Sequence, residues 1–386
     1  MEGHLYQRGK SQTWYLRYDE PTSTDAKRRP RNVRIGRMSK SSAEAKKRQI
    51  LRQVDEGILQ ERSTGTLEQF LAEWLESRKH NLANTTYARY KQMIDRDINP
   101  VIGKVRLAKL NESHIEVVHR SAYRRGLSKR SCLHIHRVLH KAFRDAVRRR
   151  KLTRNVVALV DAPNPEEREH AAITPERVEL LIQAARGTRL EVPVAVSAVT
   201  GLRRGEILAL RWRNIHLWNI DRAKAKLYVA ESLEQTREFG VQFKSPKSKS
   251  SKRVIPLSRE CAQLLLAHRA EQERAKKEAG AAYDDRDLVF PNADGSPWPP
   301  DTFTMQFGKL AALVGLKGFR FHDLRHAFAS LTLAGGVSVK EVQTLLGHSS
   351  PTVTLSVYAR SMEGLGRQAV NELSRSLLGG RSKKAS

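Results

Sequence analysis

The sequence predicts a multidomain chain. A small three-stranded β-sheet with one helix leads into an all-α domain, followed by a mostly helical domain carrying a small antiparallel β-sheet, an α+β arrangement. Three observations predict it. At 386 residues the chain exceeds one ordinary core and calls for two or three domains. Two stretches read as linkers, "ERSTGT" at 61–66 and the proline-rich, acidic "DAPNPEEREHAAITPERV" from Asp161. Across them the hydrophobic period changes, from alternation in the first segment to helical spacing in the second and a mixture in the third.

In residues 1–60, "HLYQRG", "TWYLRY" and "RNVRIGRM" alternate as short strands around a loop, "DEPTSTDAKRRP". The helix "SSAEAKKRQILRQVDEGIL" follows, with Ser41 and Glu44 in capping-box spacing. Trp14 and Tyr15 suit either a mini-core or a grip on DNA. Residues 61–168 hold four helical patterns: "LEQFLAEWLESRKH", "NTTYARYKQMIDRDI", "SHIEVVHRSAYRRG" and "SKRSCLHIHRVLHKAFRDAVRRRKL". Asn84, Ser113 and Ser128 are their expected N-caps. In the last segment Thr174 and Pro175 open a helix, and "LRRGEILALRW" forms another after Gly201. Strands are expected at "AKLYVAES", "GVQFKSP" and "KRVIPLS", the last two as a hairpin about "KSKSS", with helices from 301 to the end.

Charge narrows the choice of partner. The chain carries 70 Lys/Arg against 41 Asp/Glu, a formal +29. The excess is spread: 14 basic against 7 acidic residues in 1–60, 23 against 12 in 61–168, and 33 against 22 in 169–386. Any one lysine is adequately explained as a solvated surface group. A chain that is cationic in every segment suits a polyanion, because neutralising phosphates releases condensed counterions. Nucleic acid leads, since an anionic membrane would need an amphipathic anchor that is not evident. No apolar run approaches the ~18 residues of a membrane span. The start, "MEGHLYQRGKSQTWYLRYDE", has no apolar signal region. The two cysteines, Cys132 and Cys261, suit a reducing cytosol and cannot hold zinc alone.

Four patches in 169–386 bear chemistry. "TGLRRGEILALRW" puts Arg203 just after a glycine turn, with Glu206 one helical turn on. "PKSKSSKRVIPL" holds Lys247 and Lys249, and "FRFHDLRHAF" holds His322, Arg325 and His326. "LLGHSSPTVTLSVYAR" holds His348 and, ten residues later, Tyr358. His322 and His326 have the spacing of a zinc pair, but the intervening acid is Asp323 rather than the Glu of H-E-x-x-H. Arg325 on the same turn would also repel a cation, so no metal is expected. Planar guanidinium groups suit phosphate instead, donating parallel hydrogen bonds without losing charge.

These patches, in this order, resemble the tyrosine recombinases of the phage-integrase family, and the resemblance spans the chain. It implies an arm-type DNA-binding domain at 1–60, a helical core-binding domain at 61–168, and a catalytic domain with a C-terminal tail at 169–386. The implied activity is site-specific DNA recombination, integrating or excising a phage or other mobile element in the cytoplasm of a bacterial host, with no cofactor. Tyr358 is by that resemblance the nucleophile, forming a 3′-phosphotyrosyl link and freeing a 5′-hydroxyl. Arg203 and Arg325 would neutralise the phosphate, and His322 and His348 would add donors or move protons. His322 is the base toward a phenol whose pKa starts near ~10. Lys247 is assigned to protonating the departing 5′-oxygen, with Lys249 its rival because the loop length does not say which points inward. Glu206 orients backbone or arginine, and Arg204 competes with Arg203 only by adjacency. The implied partners are double-stranded attachment sites of core and arm type, three further copies in a homotetramer on DNA, and DNA-bending or excision accessory proteins. Arg148, Arg149, Arg150 and Lys151 are the expected phosphate-tracking group, although a solvated helix end explains them as well.

Asn214 stands where the family usually has aspartate, and Arg360 follows the tyrosine where histidine is frequent. Both bear on local packing rather than on the catalytic set. The amphipathic tail "GRQAVNELSRSLL" either docks on its own domain or packs on a neighbouring subunit. Two rivals share the features: a non-catalytic DNA-binding regulator, which would lack a catalytic side chain, and a type IB topoisomerase-like nicking-closing enzyme, which would not need the N-terminal module.

Overall fold

The computed structural model describes residues 2–8, 12–20, 29–55, 65–166, 174–217, 224–245 and 252–347. The chain divides into two compact units, 1–167 and 168–386, and the boundary falls inside the second, proline-rich linker.

The first unit opens with the alternating segments. Strands β1 (Gly3–Arg8), β2 (Thr13–Glu20) and β3 (Arg29–Gly36) form an antiparallel sheet in that order, and helix α1 (Lys40–Asp55) follows. Because side chains alternate between faces, one face buries Leu16, Tyr18 and Ile35 with Leu51 of α1 as a small core. Trp14 joins this core and donates its Nε1–H to the Met38 carbonyl at 2.9 Å. Tyr15 does not, because register sets it on the opposite face, where it stacks on Tyr6 with ring centroids 5.7 Å apart. Helix α1 is capped by Ser39 rather than Ser41: the Ser42 amide donates to Ser39 Oγ at 3.3 Å.

Helices α2 (Leu67–Glu76), α3 (Asn84–Met93), α4 (Asn99–Ile102), α5 (Glu112–Arg124) and α6 (Lys129–Arg148) complete the unit. Ser128 caps α6 as expected, but α5 starts from Asn111, whose side chain accepts from the His114 amide, and Ala83 precedes α3 without a side-chain cap. The helices close over Leu71, Trp74, Ile115, Leu139 and Phe143, all buried. Trp74 donates to the buried Asp145 at 2.8 Å, tying α2 to α6 through a satisfied polar contact.

In the second unit Thr174 and Pro175 start α7 (Pro175–Ala185), followed by α8 (Glu191–Thr200) and α9 (Arg204–Leu208). Strands β4 (Ile215–His216), β5 (Lys226–Val229), β6 (Ser232–Thr236), β7 (Gly240–Lys244) and β8 (Arg253–Pro256) come next. Four helices finish the described chain: α10 (Arg259–Ala279), α11 (Pro300–Leu313), α12 (Phe321–Ala334) and α13 (Val339–Leu346). The expected hairpin of "GVQFKSP" with "KRVIPLS" does not form. β7 pairs with β6, and β8 instead joins β5 and β4 in a separate three-stranded sheet. The reason is local: Gly240, at φ 64°, lets the chain turn back directly after β6, and Leu233 then lies across from Phe243 on the core side. Helix α10 is poorly announced by periodicity, since its buried residues, Cys261, Ala262 and Leu265, all lie near its start and its second half is densely charged.

Candidate active site

Three chain segments converge in the second unit. Gly201 ends α8 in the left-handed region, φ 62°, and redirects the chain so that Arg203 precedes α9. A methyl group at Gly201 would lie 2.7 Å from both Phe328 and Leu346, so the turn is held tightly against α12 and α13. Glu206, on the first turn of α9, accepts from the Arg203 amide at 2.9 Å and from Arg203 Nη1 at 2.7 Å. Arg203 keeps about a third of its side chain exposed, at 36%, while Glu206 is buried. The acid therefore braces a guanidinium whose remaining donors face outward.

Helix α12 supplies the second arginine. Its first turn is capped by Asp323, which accepts from the Arg320 amide at 2.8 Å, so this acid is structural. Arg325, only 2% exposed, donates Nη1 to the Gly201 carbonyl at 2.7 Å and Nη2 to the Leu346 carbonyl. One side chain thus fastens the turn before Arg203 to the end of α13, which Gly347 terminates at φ 65°. Burial, then the nearby Arg203 charge, pulls Arg325 down to about 9, with Glu206 opposing, and it stays cationic at neutral pH. His322 is exposed, and its ring lies 4.9 Å edge-on from that of His326. The protein around its inner side strips part of its hydration, and His326, Arg325 and Arg203 add positive charge, so the imidazole is pushed down to about 4 although the residue keeps an exposed edge. At neutral pH it is an uncharged acceptor beside two cations. Burial alone would raise Glu206, but Arg253 and Arg203 override it and leave it near about 2.

Arg204 turns elsewhere. Its Nη1 donates to Thr304 Oγ1 at 2.6 Å and to the Pro300 carbonyl at 3.1 Å, fastening α9 to α11. Among the described residues no group of three or more His, Cys, Asp or Glu is arranged to hold a metal ion. Two arginines, a neutral histidine and a bracing carboxylate are groups suited to holding an anionic oxygen.

Sequence comparison decides the family. A profile of the Phage integrase family matches residues 171–364, and one of the phage integrase N-terminal SAM-like domain matches 66–119. The chain belongs to the phage integrase family. Site-specific DNA recombination of the tyrosine type is the activity that membership carries. The chain is 26% identical over 354 residues to a tyrosine recombinase XerC-like protein of Caldanaerobacter subterraneus subsp. tengcongensis, covering 87% of this chain and 89% of that one. It is 27% identical to an integrase of Streptomyces ambofaciens, over 84% of each. In fold it is similar to the Tn1549 transposon integrase solved with transposon right-end DNA, at TM-score 0.66 and 21% identity, over 80% of this chain and 99% of that one. A λ integrase tetramer bound to a Holliday junction aligns at TM-score 0.56 and 20% identity, over 92% of this chain and 94% of the other. Neither the regulator nor the nicking-closing reading is favoured by these likenesses.

The recombinase structure brings Arg203, Glu206, His322 and Arg325 together. Lys247, Lys249, His348, Tyr358 and the amphipathic tail lie outside the described residues. Arg148 ends α6 and Arg149, Arg150 and Lys151 follow it, all four exposed, where cations also offset the helix dipole. Two of them have partners: Lys151 donates to Glu73 at 3.1 Å, and Arg148 lies 3.8 Å from Asp145. Sequence reasoning missed Arg253. It is buried on β8 and grips Glu206 with both Nη atoms, at 3.1 and 2.8 Å. The available signal was strand alternation, which puts Arg253 on the same face as the buried Ile255 and Leu257.

Proposed function

We propose that this recombinase cleaves DNA by attack of the Tyr358 phenolate oxygen on the scissile phosphorus. The P–O5′ bond breaks, a 3′-phosphotyrosyl bond forms, and the leaving 5′-oxygen takes a proton from Lys247, or from Lys249 if the nearer lysine faces outward. Rejoining reverses the step on a new 5′-hydroxyl, so no nucleotide cofactor is consumed. Arg203 and Arg325 neutralise the nonbridging oxygens, with Glu206 holding Arg203. His322 accepts the phenol proton, and His348 adds a donor. What supports this reading above all is that Arg203, braced by the buried Glu206, stands close enough to Arg325 and His322 for its charge to act on both, while Arg325 fastens the turn before it.

The recombinase acts on double-stranded core-type sites as a homotetramer. The integrating or excising element belongs to a phage or other mobile element, in the cytoplasm of a bacterial host and with DNA-bending or excision proteins as helpers. The 1–60 module binds arm-type sites, residues 61–168 bind the core, and Arg148, Arg149, Arg150 and Lys151 follow phosphates there. In support, the sheet face away from α1 carries His4, Tyr6, Tyr15, Arg17, Asn32 and Arg34 in adjoining registers. Among the described residues no helix is long and apolar enough to cross a membrane.

The test is covalent trapping on a nicked core-site duplex that loses its short 5′-hydroxyl product. Mass spectrometry should find a 3′-phosphoryl adduct on the Tyr358 peptide. An adduct on another residue, or one joined through a 5′-phosphate, overturns the reading.

The histidine role has its own signature. Free imidazole titrates near 6.5, and the fold lowers His322 to about 4. The folded state thus prefers the neutral ring. Its contribution to stability is complete above the unfolded value and is lost as pH falls from 6.5 toward about 4. Histidine-selective NMR of the DNA-free protein should find this acidic titration. Core-site duplex should raise it, because a bound phosphate favours the imidazolium. An unshifted titration near the free value in the DNA-free protein would remove His322 as the neutral base.

A further inference from the structure

We infer that Arg253 is a positioning residue for recombination, one that sets Arg203 and the end of α13 in a single geometry. The inference rests on the reading of Arg203 as a phosphate ligand. Arg253 occupies an inward position of β8, opposite Val229 in the sheet, where a strand of this pattern would ordinarily place an apolar residue. A buried guanidinium is costly unless its donors are satisfied. Here Nη1 donates to Glu206 Oε1 at 3.1 Å, Nη2 to Glu206 Oε2 at 2.8 Å, and Nε to the Leu345 carbonyl at 2.6 Å.

These contacts lead to two parts of the site. Glu206 Oε1 is shared with Arg203 Nη1, and Oε2 with the Arg203 amide, so the carboxylate cannot turn without moving Arg203. The Leu345 carbonyl is adjacent to the Leu346 carbonyl held by Arg325, and Gly347 then leads directly into His348. Arg253 itself stands two residues after the segment 246–251, which contains Lys247 and Lys249. Arg253 therefore ties β8 to the first turn of α9 and to the end of α13. Its Nε, Nη1 and Nη2 are engaged by the Leu345 carbonyl and Glu206. Its effect passes through Glu206 to the direction in which Arg203 presents its exposed donors.

Arg253→Gln and Arg253→Lys separate this role from simple support of the fold. The lysine variant keeps a cation for Glu206 but has neither the parallel pair nor the Nε donor, which guards against a glutamine variant that does not fold. Both are expected to bind the core-site duplex as the unaltered protein does. Single-turnover cleavage should fall roughly 10- to 100-fold, as when a partner that orients a reacting group is removed. The decisive comparison uses a duplex with a methylphosphonate at the scissile position, which carries no nonbridging anion for Arg203 to neutralise. On that substrate the deficit of the folded variant should shrink to a few-fold. An equal deficit on both substrates, or full activity of Arg253→Lys on the native phosphodiester, overturns the inference. Arg203→Gln is measured in parallel: undiminished cleavage by that variant would instead remove Arg203 from the site, a different failure.

Discussion

Replacing Tyr358 with Phe is expected to abolish covalent adduct formation while leaving binding of a core-site duplex unchanged. The substitution deletes one oxygen and keeps the ring, so packing is conserved to within an atom, while the nucleophile disappears altogether. The loss should not resemble that of a missing hydrogen-bond donor, which costs roughly 3–4 kcal/mol of transition-state stabilisation and leaves measurable rate. Without the phenol no atom can retain the phosphoryl group, and single-turnover cleavage on a nicked duplex should fall to background. Retained binding is checked by gel shift at fixed salt, because phosphate contacts make affinity depend steeply on ionic strength. Trapping by the Phe variant at any appreciable fraction of the unaltered rate would move the nucleophile elsewhere.

Arg325→Lys should lower cleavage by about 10²–10³-fold and also lower the melting temperature. Two effects combine here. A lysine ammonium is a point charge and does not reproduce a planar fork that spans the Gly201 and Leu346 carbonyls at once. At least one buried carbonyl then loses its donor, at a cost of roughly 1–3 kcal/mol. The freed turn before Arg203 and the freed end of α13 flank the pocket, so stability and rate decline together. Urea unfolding and single-turnover cleavage measured on the same preparation test this. A variant with unchanged stability would show that the two carbonyl contacts are not held by Arg325 in solution.

Several features of this recombinase were open to reading from its chain. Ser128 before α6 and Pro175 at the start of α7 sit where capping chemistry puts them, because a cap depends on residues within one turn. The first three strands follow from alternation, since each side chain's face is set by its immediate neighbours. The order of four patches along the chain, from Arg203 and Glu206 through Lys247, then His322 and Arg325, to His348 and Tyr358, carried the family resemblance without any coordinates.

Other features escaped for equally physical reasons. The partner of β8 lies in β5, beyond a whole intervening hairpin, and local propensity says nothing about which edge a strand will join. Tyr15 was a candidate for the mini-core until register put it against Tyr6 on the other face. Arg253 read as one more cation among many, because nothing nearby in the chain reveals that Glu206, 47 positions earlier, has closed on it.

By itself, then, the sequence determined the helix starts at Ser128 and Pro175, the first three strands and the cationic character that suits DNA, all of which are local or additive properties. Only the tertiary structure decided which arginine braces which. Arg325 reaches a carbonyl 124 positions away, and Arg253 reaches one 92 positions away. Contacts over such separations exist only after the intervening chain has folded. Their geometry therefore belongs to the packed core as a whole and to no single segment of it.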